Sequence, residues 1–444
     1  MARSESRAAQ STDREAWVVG DSLGLAMPAD AQALRDGGAA WLTRAFRACG
    51  ALAEDNEVVR ITESAECPGG STGRKLLLAV EYARPEPGLH HELFAKFSRD
   101  FDDPIRDQGR TQMELEVRFA ALSRAPGFPI AVPACYYADY QAASGTGLLI
   151  TQRIGFGRDG IEPHYEKCRD DEMPEALAHY EALIKSLARL AGADRAQVLP
   201  AELLAGFSFD PGRLAVGERA LYGERQLQNR VSRYAEFAAR HAALLPPNIR
   251  SAGFIERLLR DVVRFPQHEA AIRAHLQADA DAIALCHWNA NVDNAWFWRE
   301  PSGELACGLM DWGCASRMNV AMALWGCLSA ADTALWERHF DSLLDLFVDE
   351  FHRSGGARLD RGKLEDQLLL YVALMGLTWL LDAPAYLRSL VPALESDIDP
   401  IADRHDPRLR ENEAARSQLQ MLTNFLCLWQ GRDIGAVLDR FLRI

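Results

Sequence analysis

The feature that most constrains this chain is a change of hydrophobic period at Gly155-Phe156-Gly157. Ahead of it lie short β-prone runs, Val58 to Ile61, Lys75 to Tyr82, Leu93 to Phe97, Ala134 to Tyr140 and Leu148 to Thr151, separated by Gly, Pro and charged residues. Runs of this length and punctuation predict an antiparallel meander. Behind it the apolar residues recur at helical spacing, as in Tyr180, Leu183, Leu187 and Leu190, or Phe340, Leu343, Leu344, Phe347 and Phe351. The chain is therefore expected to divide into a flexible tail over 1–28, a sheet-bearing part over 29–154 and a mainly helical part over 155–444. Two helices are expected in the sheet-bearing part, Asp30 to Cys49 and Met113 to Leu122, the second with Leu115, Phe119 and Leu122 on one face. The helical part has one exception. Between Ala282 and Met310, three short strand-like runs surround a polar loop. No internal repeat or long low-complexity segment is present.

Composition narrows the classes of function. A chain of 444 residues that is 48% hydrophobic can bury a large core. Its net charge of −14 argues against nucleic acid or an anionic membrane as the main partner, since both need a basic surface. A cationic substrate would be favoured by that field, although an acidic surface more often serves solubility. The nine cysteines are odd in number and scattered without CxxC spacing, which favours reduced thiols over disulfides or zinc. The first residues are polar and lack the apolar core of a signal peptide. The run from Leu368 to Leu381 is broken by Tyr371, Gly376 and Thr378, and reads as a buried helix too short for a bilayer. These features predict a cytoplasmic protein without membrane insertion, and leave its oligomeric state open.

The residues that carry chemistry follow one another in a telling order. His287-Trp288-Asn289-Ala290-Asn291-Val292-Asp293-Asn294 precedes Met310-Asp311-Trp312. In kinases a His-Arg-Asp triplet is followed, four intervening residues later, by a metal-binding Asn and then by a metal-binding Asp. Here Asn294 and Asp311 fit as hard oxygen ligands for Mg²⁺, and His287 fits the structural position. Asn289 stands where the template places the proton-accepting Asp, and an amide cannot act as a carboxylate base. Upstream, Gly69, Gly70, Ser71, Thr72 and Gly73 lie between two strand-like runs, where glycines admit a phosphate close to the backbone. A strand follows them, so they are not a Walker motif, and an ordinary hairpin has the same composition. Lys96 interrupts an apolar strand and needs a partner, for which Glu116 is the candidate and Glu114 the substitute; a half-exposed surface lysine is the plainer alternative. Trp288, Trp296, Trp298, Trp312 and Trp325 are concentrated near the loop, and core packing accounts for most of them.

Taken together, these pieces resemble the aminoglycoside phosphotransferase and choline kinase group of small-molecule kinases, including ecdysteroid kinase-like and related bacterial proteins. The matching residues are Gly69 to Gly73, Lys96, Glu116-Val117-Arg118-Phe119, the hinge-like Leu148 to Gln152, Leu187 to Leu190, His287 to Asn294, and Asp311-Trp312. The resemblance covers roughly residues 40 to 350 and rests on order and spacing. It implies an α+β, bilobal protein kinase-like fold with a small antiparallel-sheet N-lobe carrying one main helix and a larger helical C-lobe. It further implies ATP held by Gly69 to Gly73, Lys96, Glu116 and Gln152, Mg²⁺ held by Asn294 and Asp311, and a small-molecule hydroxyl acceptor, metabolite-, antibiotic- or sterol-like. His287, Asn289 and Asp293 then form the catalytic loop, with Asp293 a substitute carboxylate. Two departures stand out: Asn289 at the catalytic Asp, and no acidic residue in Arg317 to Ala321. An active phosphotransferase and a nucleotide-binding pseudokinase both follow from this pattern. Nucleotidyl transfer has no support in it.

Overall fold

The computed structural model describes residues 15–67, 69, 72–209, 220–396 and 398–443. Its contacts divide the chain into two compact units. One holds the described residues up to Arg124 together with Pro133–Ile154, and the other holds Ala125–Val132 and everything described from Gly155 onward.

The first unit is built on a five-stranded antiparallel sheet. Its elements in chain order are β1 (Trp17–Val19), β2 (Ala26–Pro28), α1 (Ala31–Ala48), β3 (Val58–Glu66), β4 (Lys75–Tyr82), β5 (Glu92–Phe97), the one-turn α2 (Pro104–Asp107), α3 (Met113–Ser123), β6 (Cys135–Gln141) and β7 (Thr146–Gln152). The sheet order is β3-β4-β5-β7-β6. Strict alternation along β4 buries Leu76, Leu78, Val80 and Tyr82 in one core with Leu34, Trp41, Leu42 and Phe46 of α1. The opposite face of β6 and β7 packs Ala138, Tyr140 and Leu149 with Met113 and Val117 of α3. β5 lies inside the sheet with Ala95, Lys96 and Phe97 all buried, so its lysine belongs to a covered surface. Two helices of more than one turn serve this unit, α1 as well as α3.

Within the tail expected over 1–28, the described residues 17–28 are structured. β1 pairs with β2, and Val18 and Met27 are buried. The buried Asp139 carboxylate accepts the backbone N–H groups of Ser22 and Leu23 at 3.0 and 2.9 Å, while Trp41 Nε1 donates to the Ala26 carbonyl at 2.7 Å. Turn amides held by a buried charge are satisfied backbone, and a segment so tied is ordered.

The second unit is mainly helical. It contains α4 (Ala176–Arg195), the one-turn α5 (Ala201–Leu204), α6 (Glu224–Arg240), α7 (Ala252–Val262), α8 (Glu269–Ala278), strands β8 (Ile283–His287), β9 (Ala295–Arg299), β10 (Leu305–Leu309) and β11 (Ala315–Asn319), then α9 (Val320–Leu328), α10 (Thr333–Arg353), α11 (Arg361–Thr378), α12 (Ala383–Leu390), the one-turn α13 (Pro407–Arg410), α14 (Glu413–Gly431) and α15 (Ile434–Phe441). Two antiparallel pairs, β8 with β11 and β9 with β10, frame the polar loop. The stretch noted above only for lacking an acid is shared between the end of β11 and the start of α9. The apolar run near Leu368 belongs to a longer element than expected. The span Arg361–Leu390 is long and apolar enough to cross a membrane by composition, and 83% of its most apolar window is buried inside the protein. Burial, then, and not shortness, accounts for its composition.

Candidate functional site

In the first unit Lys96 Nζ pairs with Glu116 Oε1, bringing together the strand lysine and the helix glutamate. Both residues are buried, at 8% and 4% exposure. The pairing expected of them is present, and Glu114 is occupied elsewhere, accepting Arg118 Nη2 at 2.6 Å. A buried ion pair gives little net stability, because desolvation offsets the attraction. Its value lies in holding an amine in a fixed place. Of the glycine-rich turn, Gly70 and Ser71 lie outside the described residues. The carbonyls of Gly69 and Thr72 accept Lys75 Nζ at 3.0 and 3.3 Å. Gly73 has a left-handed φ of 55°, and a Cβ there would overlap the Phe97 carbonyl at the end of β5. Only glycine fits where the turn closes on the strand that carries Lys96. Gln152, the last residue of β7, accepts the Ala134 N–H through Oε1 at 3.4 Å.

In the second unit the loop hangs from the end of β8. His287 is fully buried, and burial pushes its pKa below the usual imidazole value. Nε2 donates to the Met310 carbonyl at 2.9 Å and Nδ1 accepts the Asn289 N–H at 3.2 Å, an arrangement that needs the neutral ring. The ring also packs on Trp312, with centroids 4.4 Å apart. Asn294 closes the loop from the other side: Nδ2 donates to the Asn289 carbonyl at 2.9 Å. Its own carbonyl accepts Met310 N–H at 2.9 Å, which sets Asp311 one residue beyond a direct backbone link to Asn294. Asp311 adopts a left-handed conformation, φ 63° and ψ 68°, which costs a non-glycine residue about 1 kcal/mol or more. Such strain is kept where a side chain must be aimed.

This donor set suits Mg²⁺. With its NH₂ engaged on Asn289, the Asn294 amide presents its oxygen, and Asp311 adds a carboxylate. Hard oxygen ligands supplied by one or two side chains, with phosphates completing the shell, are what Mg²⁺ takes. No group of three or more His, Cys, Asp or Glu able to hold a metal occurs among the described residues, so a metal here would depend on a phosphate ligand.

Asn289 itself is tied into amides. Its Oδ1 accepts Asn291 Nδ2 at 2.8 Å. It can orient a hydroxyl, but it cannot take the proton. The nearest carboxylate in sequence, Asp293, forms an ion pair of 3.4 Å with Lys167 through Oδ2, while its buried Oδ1 has no hydrogen-bond partner in the structure. The Asp293 carbonyl accepts His164 Nε2 at 3.0 Å.

Sequence reading missed Lys167 and His164, and also the anchor of β8. Buried Asp194, near the end of α4, accepts the Leu285 N–H at 2.8 Å and pairs with Arg317 Nη2 at 2.5 Å. It thereby ties β8 and β11 to the helix two residues before His287. No local signal marks it, since its partners lie far along the chain. Asn319 occupies the stretch that lacks an acid. It caps α9 by accepting the Ala321 N–H at 2.9 Å, and its Nδ2 donates to the Leu276 carbonyl at 2.9 Å. Gly326 of α9 lies against the loop so closely that a Cβ would overlap the Trp288 carbonyl oxygen. The tryptophans divide as packing predicts: Trp296, Trp312 and Trp325 are buried, whereas Trp288 is half-buried and donates Nε1 to Tyr371 OH at 2.8 Å. Trp298 donates to Glu300 at 2.8 Å.

No family model matches the chain, and no curated protein matches it. Solved structures do. A microcompartment-associated aminopropanol kinase is 14% identical, with a TM-score of 0.42 over 83% of this chain and 93% of its own. A choline kinase from Cryptosporidium parvum Iowa II is 10% identical, with a TM-score of 0.41 over 86% and 93%. A spectinomycin phosphotransferase in complex with ADP and spectinomycin is 10% identical, with a TM-score of 0.37 over 87% and 94%. The structural neighbours of this chain are aminoglycoside phosphotransferases and choline and ethanolamine kinases, at low identity and high coverage.

Proposed function

We propose that this chain is an ATP- and Mg²⁺-dependent phosphotransferase acting on a hydroxyl group of a small molecule. The observation that carries the reading is the buried Lys96–Glu116 pair. Apolar residues of the same volume would stabilise the sheet as well or better, so a buried amine held by a carboxylate has its reason in a polyanion. Lys96 would bind phosphate, and Asn294 with Asp311 would bind the metal. Mg²⁺ would neutralise phosphate charge. Phosphoryl transfer depends on positioning and charge neutralisation more than on a strong base, so Asn289 can serve by orienting the acceptor hydroxyl.

A second reading, a nucleotide-binding pseudokinase, is favoured by one observation. Asn289 is an amide and its side-chain oxygen is already engaged by Asn291. One experiment separates the two. Saturating ATP with Mg²⁺ should raise the melting temperature of the protein, and Asp311→Ala should lose the Mg²⁺-dependent part of that shift while staying folded. Mass-spectrometric screening of hydroxylated small molecules with ATP should then give a phosphorylated product. Binding without any product supports the pseudokinase; no shift and no heat in calorimetry removes both readings.

A further inference from the structure

The second unit holds a buried charge that phosphotransfer does not use. Asp170, in the turn ahead of α4, is 7% exposed. Its Oδ2 accepts Tyr180 OH at 2.9 Å and the Asp332 N–H at 2.7 Å. Its Oδ1 is buried and has no hydrogen-bond partner in the structure. Asp170 lines two cavities, one of about 90 Å³ and one of about 620 Å³. The larger is of a size that holds small molecules, and its lining includes Leu177, Ala178 and Glu181 of α4 and Leu335 of α10. The cations nearby are committed elsewhere. Arg410 pairs with Asp171 and Glu172 at 2.9 and 2.6 Å, Arg416 pairs with Glu166 at 2.6 Å, and Arg404 donates to the Gln420 side chain. Arg338, also in the lining of the larger cavity, donates Nε to the Ala334 carbonyl of its own helix at 3.2 Å. Burial holds the Asp170 carboxyl up at about 6, and the charges of Asp332 and Asp171 push the same way. A buried carboxylate oxygen is costly to leave without a donor. Water would supply the hydrogen bond but leave the charge unanswered. Among the described residues no group of three or more His, Cys, Asp or Glu could hold a metal. A cation that donates N–H and carries some hydrocarbon matches both the oxygen and the apolar lining.

We propose that the larger cavity at Asp170 is a binding site for a small alkylammonium ion, whose ammonium group donates to Asp170 Oδ1 while its alkyl chain lies on Leu177, Ala178 and Leu335. Glu181, in the same lining, favours a second ammonium group. A short alkyl diamine therefore binds more tightly than a monoamine. Neither Asp311 nor any residue from His287 to Asn294 lines either cavity. The site is thus distinct from the loop that carries Asn289, and the assignment stands independently of the phosphotransfer reading.

The test is calorimetry and thermal unfolding of the whole protein at neutral pH and matched ionic strength, with the chloride salts of butylammonium, diaminobutane, tetramethylammonium and potassium. Butylammonium should bind at a single site and raise the melting temperature, and diaminobutane should bind more tightly. Tetramethylammonium has the same charge as butylammonium but no N–H to donate, and should do no more than potassium. Asp170→Asn keeps the shape of the site and removes its charge. It should weaken butylammonium binding roughly tenfold or more, because hydrogen bonds to a full charge are the strong ones. Glu181→Gln should remove only the advantage of the diamine. Should Asp170→Asn fail to fold, Ala178→Phe replaces it, since it narrows the cavity, leaves the carboxylate in place and should abolish butylammonium binding. Equal effects of all four salts, or butylammonium binding undiminished in Asp170→Asn or in Ala178→Phe, overturns the proposal. A diamine that binds no more tightly than butylammonium overturns the part given to Glu181.

Discussion

The first unit keeps a full charge pair in its interior, Lys96 with Glu116, whereas the loop of the second unit is held by neutral amides, Asn289, Asn291 and Asn294, and an uncharged His287. A buried charge pair is costly to desolvate and holds its amine in a fixed place. An amide network is cheap to bury and fixes geometry, but it cannot move a proton. On the proposed reading, the amine that would meet phosphate and the residue that would meet the acceptor proton are different residues, Lys96 and Asn289, so that either could change without the other.

The sharpest way to break the contrast is to restore a carboxylate to the loop. We expect Asn289→Asp to raise phosphotransfer, by up to the roughly 10²–10⁴-fold that a positioned base contributes, and Asn289→Ala to lower it, measured as steady-state turnover with an acceptor found by screening. If Asn289→Asp changes nothing and Asp293→Asn abolishes turnover, the base is Asp293 and the amide reading of the loop fails.

The next largest effect concerns the charge pair. Lys96→Met leaves Glu116 buried without its partner and should cost about 3–5 kcal/mol in urea unfolding. Adding Glu116→Leu should recover most of that stability while nucleotide binding stays lost. Recovery of binding in the double variant would show that the pair serves packing alone.

Asp194→Ala tests the frame of the amide loop. It leaves the Leu285 N–H and the Arg317 guanidinium without their acceptor and should destabilise the protein by about 2–3 kcal/mol. Unchanged unfolding in urea would mean that β8 is placed without it.

The smallest effect sharpens the comparison by converting a charge into an amide inside the second unit. Asp170 is buried, accepts Tyr180 OH at 2.9 Å and the Asp332 N–H at 2.7 Å through Oδ2, and has an Oδ1 without a hydrogen-bond partner. Burial raises its pKa from 3.8 to about 6. A raised folded pKa means that its contribution is fully present below about pH 4 and is lost as pH rises through about 6. Asp170→Asn should therefore melt higher than the unaltered protein above pH 6, by about 1 kcal/mol once the lost charge-assisted bonds are counted, and show no gain at pH 4. A gain that is the same at both pH values would place its origin elsewhere.

Much of this molecule is written locally in its sequence, and the parts that are not share a physical cause. Strand alternation in Lys75 to Tyr82 and helical spacing in Tyr180 to Leu190 are short-range signals, and β4 and α4 form where they point. Lys96 announced its need for a partner because a charge in an apolar strand is costly wherever it lies. By contrast, the β1–β2 hairpin depends on Asp139, the anchor of β8 on Asp194, and the Asp293 environment on Lys167. Each is a polar side chain satisfied by groups remote in sequence, and nothing in its neighbours reveals the partner. The apolar composition of α11 was read correctly as burial but not for its length, because polar interruptions that would end a membrane span do not end a helix inside a protein.

The meeting of Gly326 with the Trp288 carbonyl has a consequence for how such a loop can evolve. Because α9 rests on backbone at Trp288 and leaves no room for a Cβ, the path of the loop there is set by main-chain contact, and an aspartate at 289 could accept Asn291 Nδ2 as the Asn289 oxygen does. An exchange of Asp for Asn there alters the chemistry of one group and leaves the scaffold in place. Loss and regain of a base then become neighbouring steps in sequence space, each one substitution wide, while Gly326 is the position at which drift is forbidden.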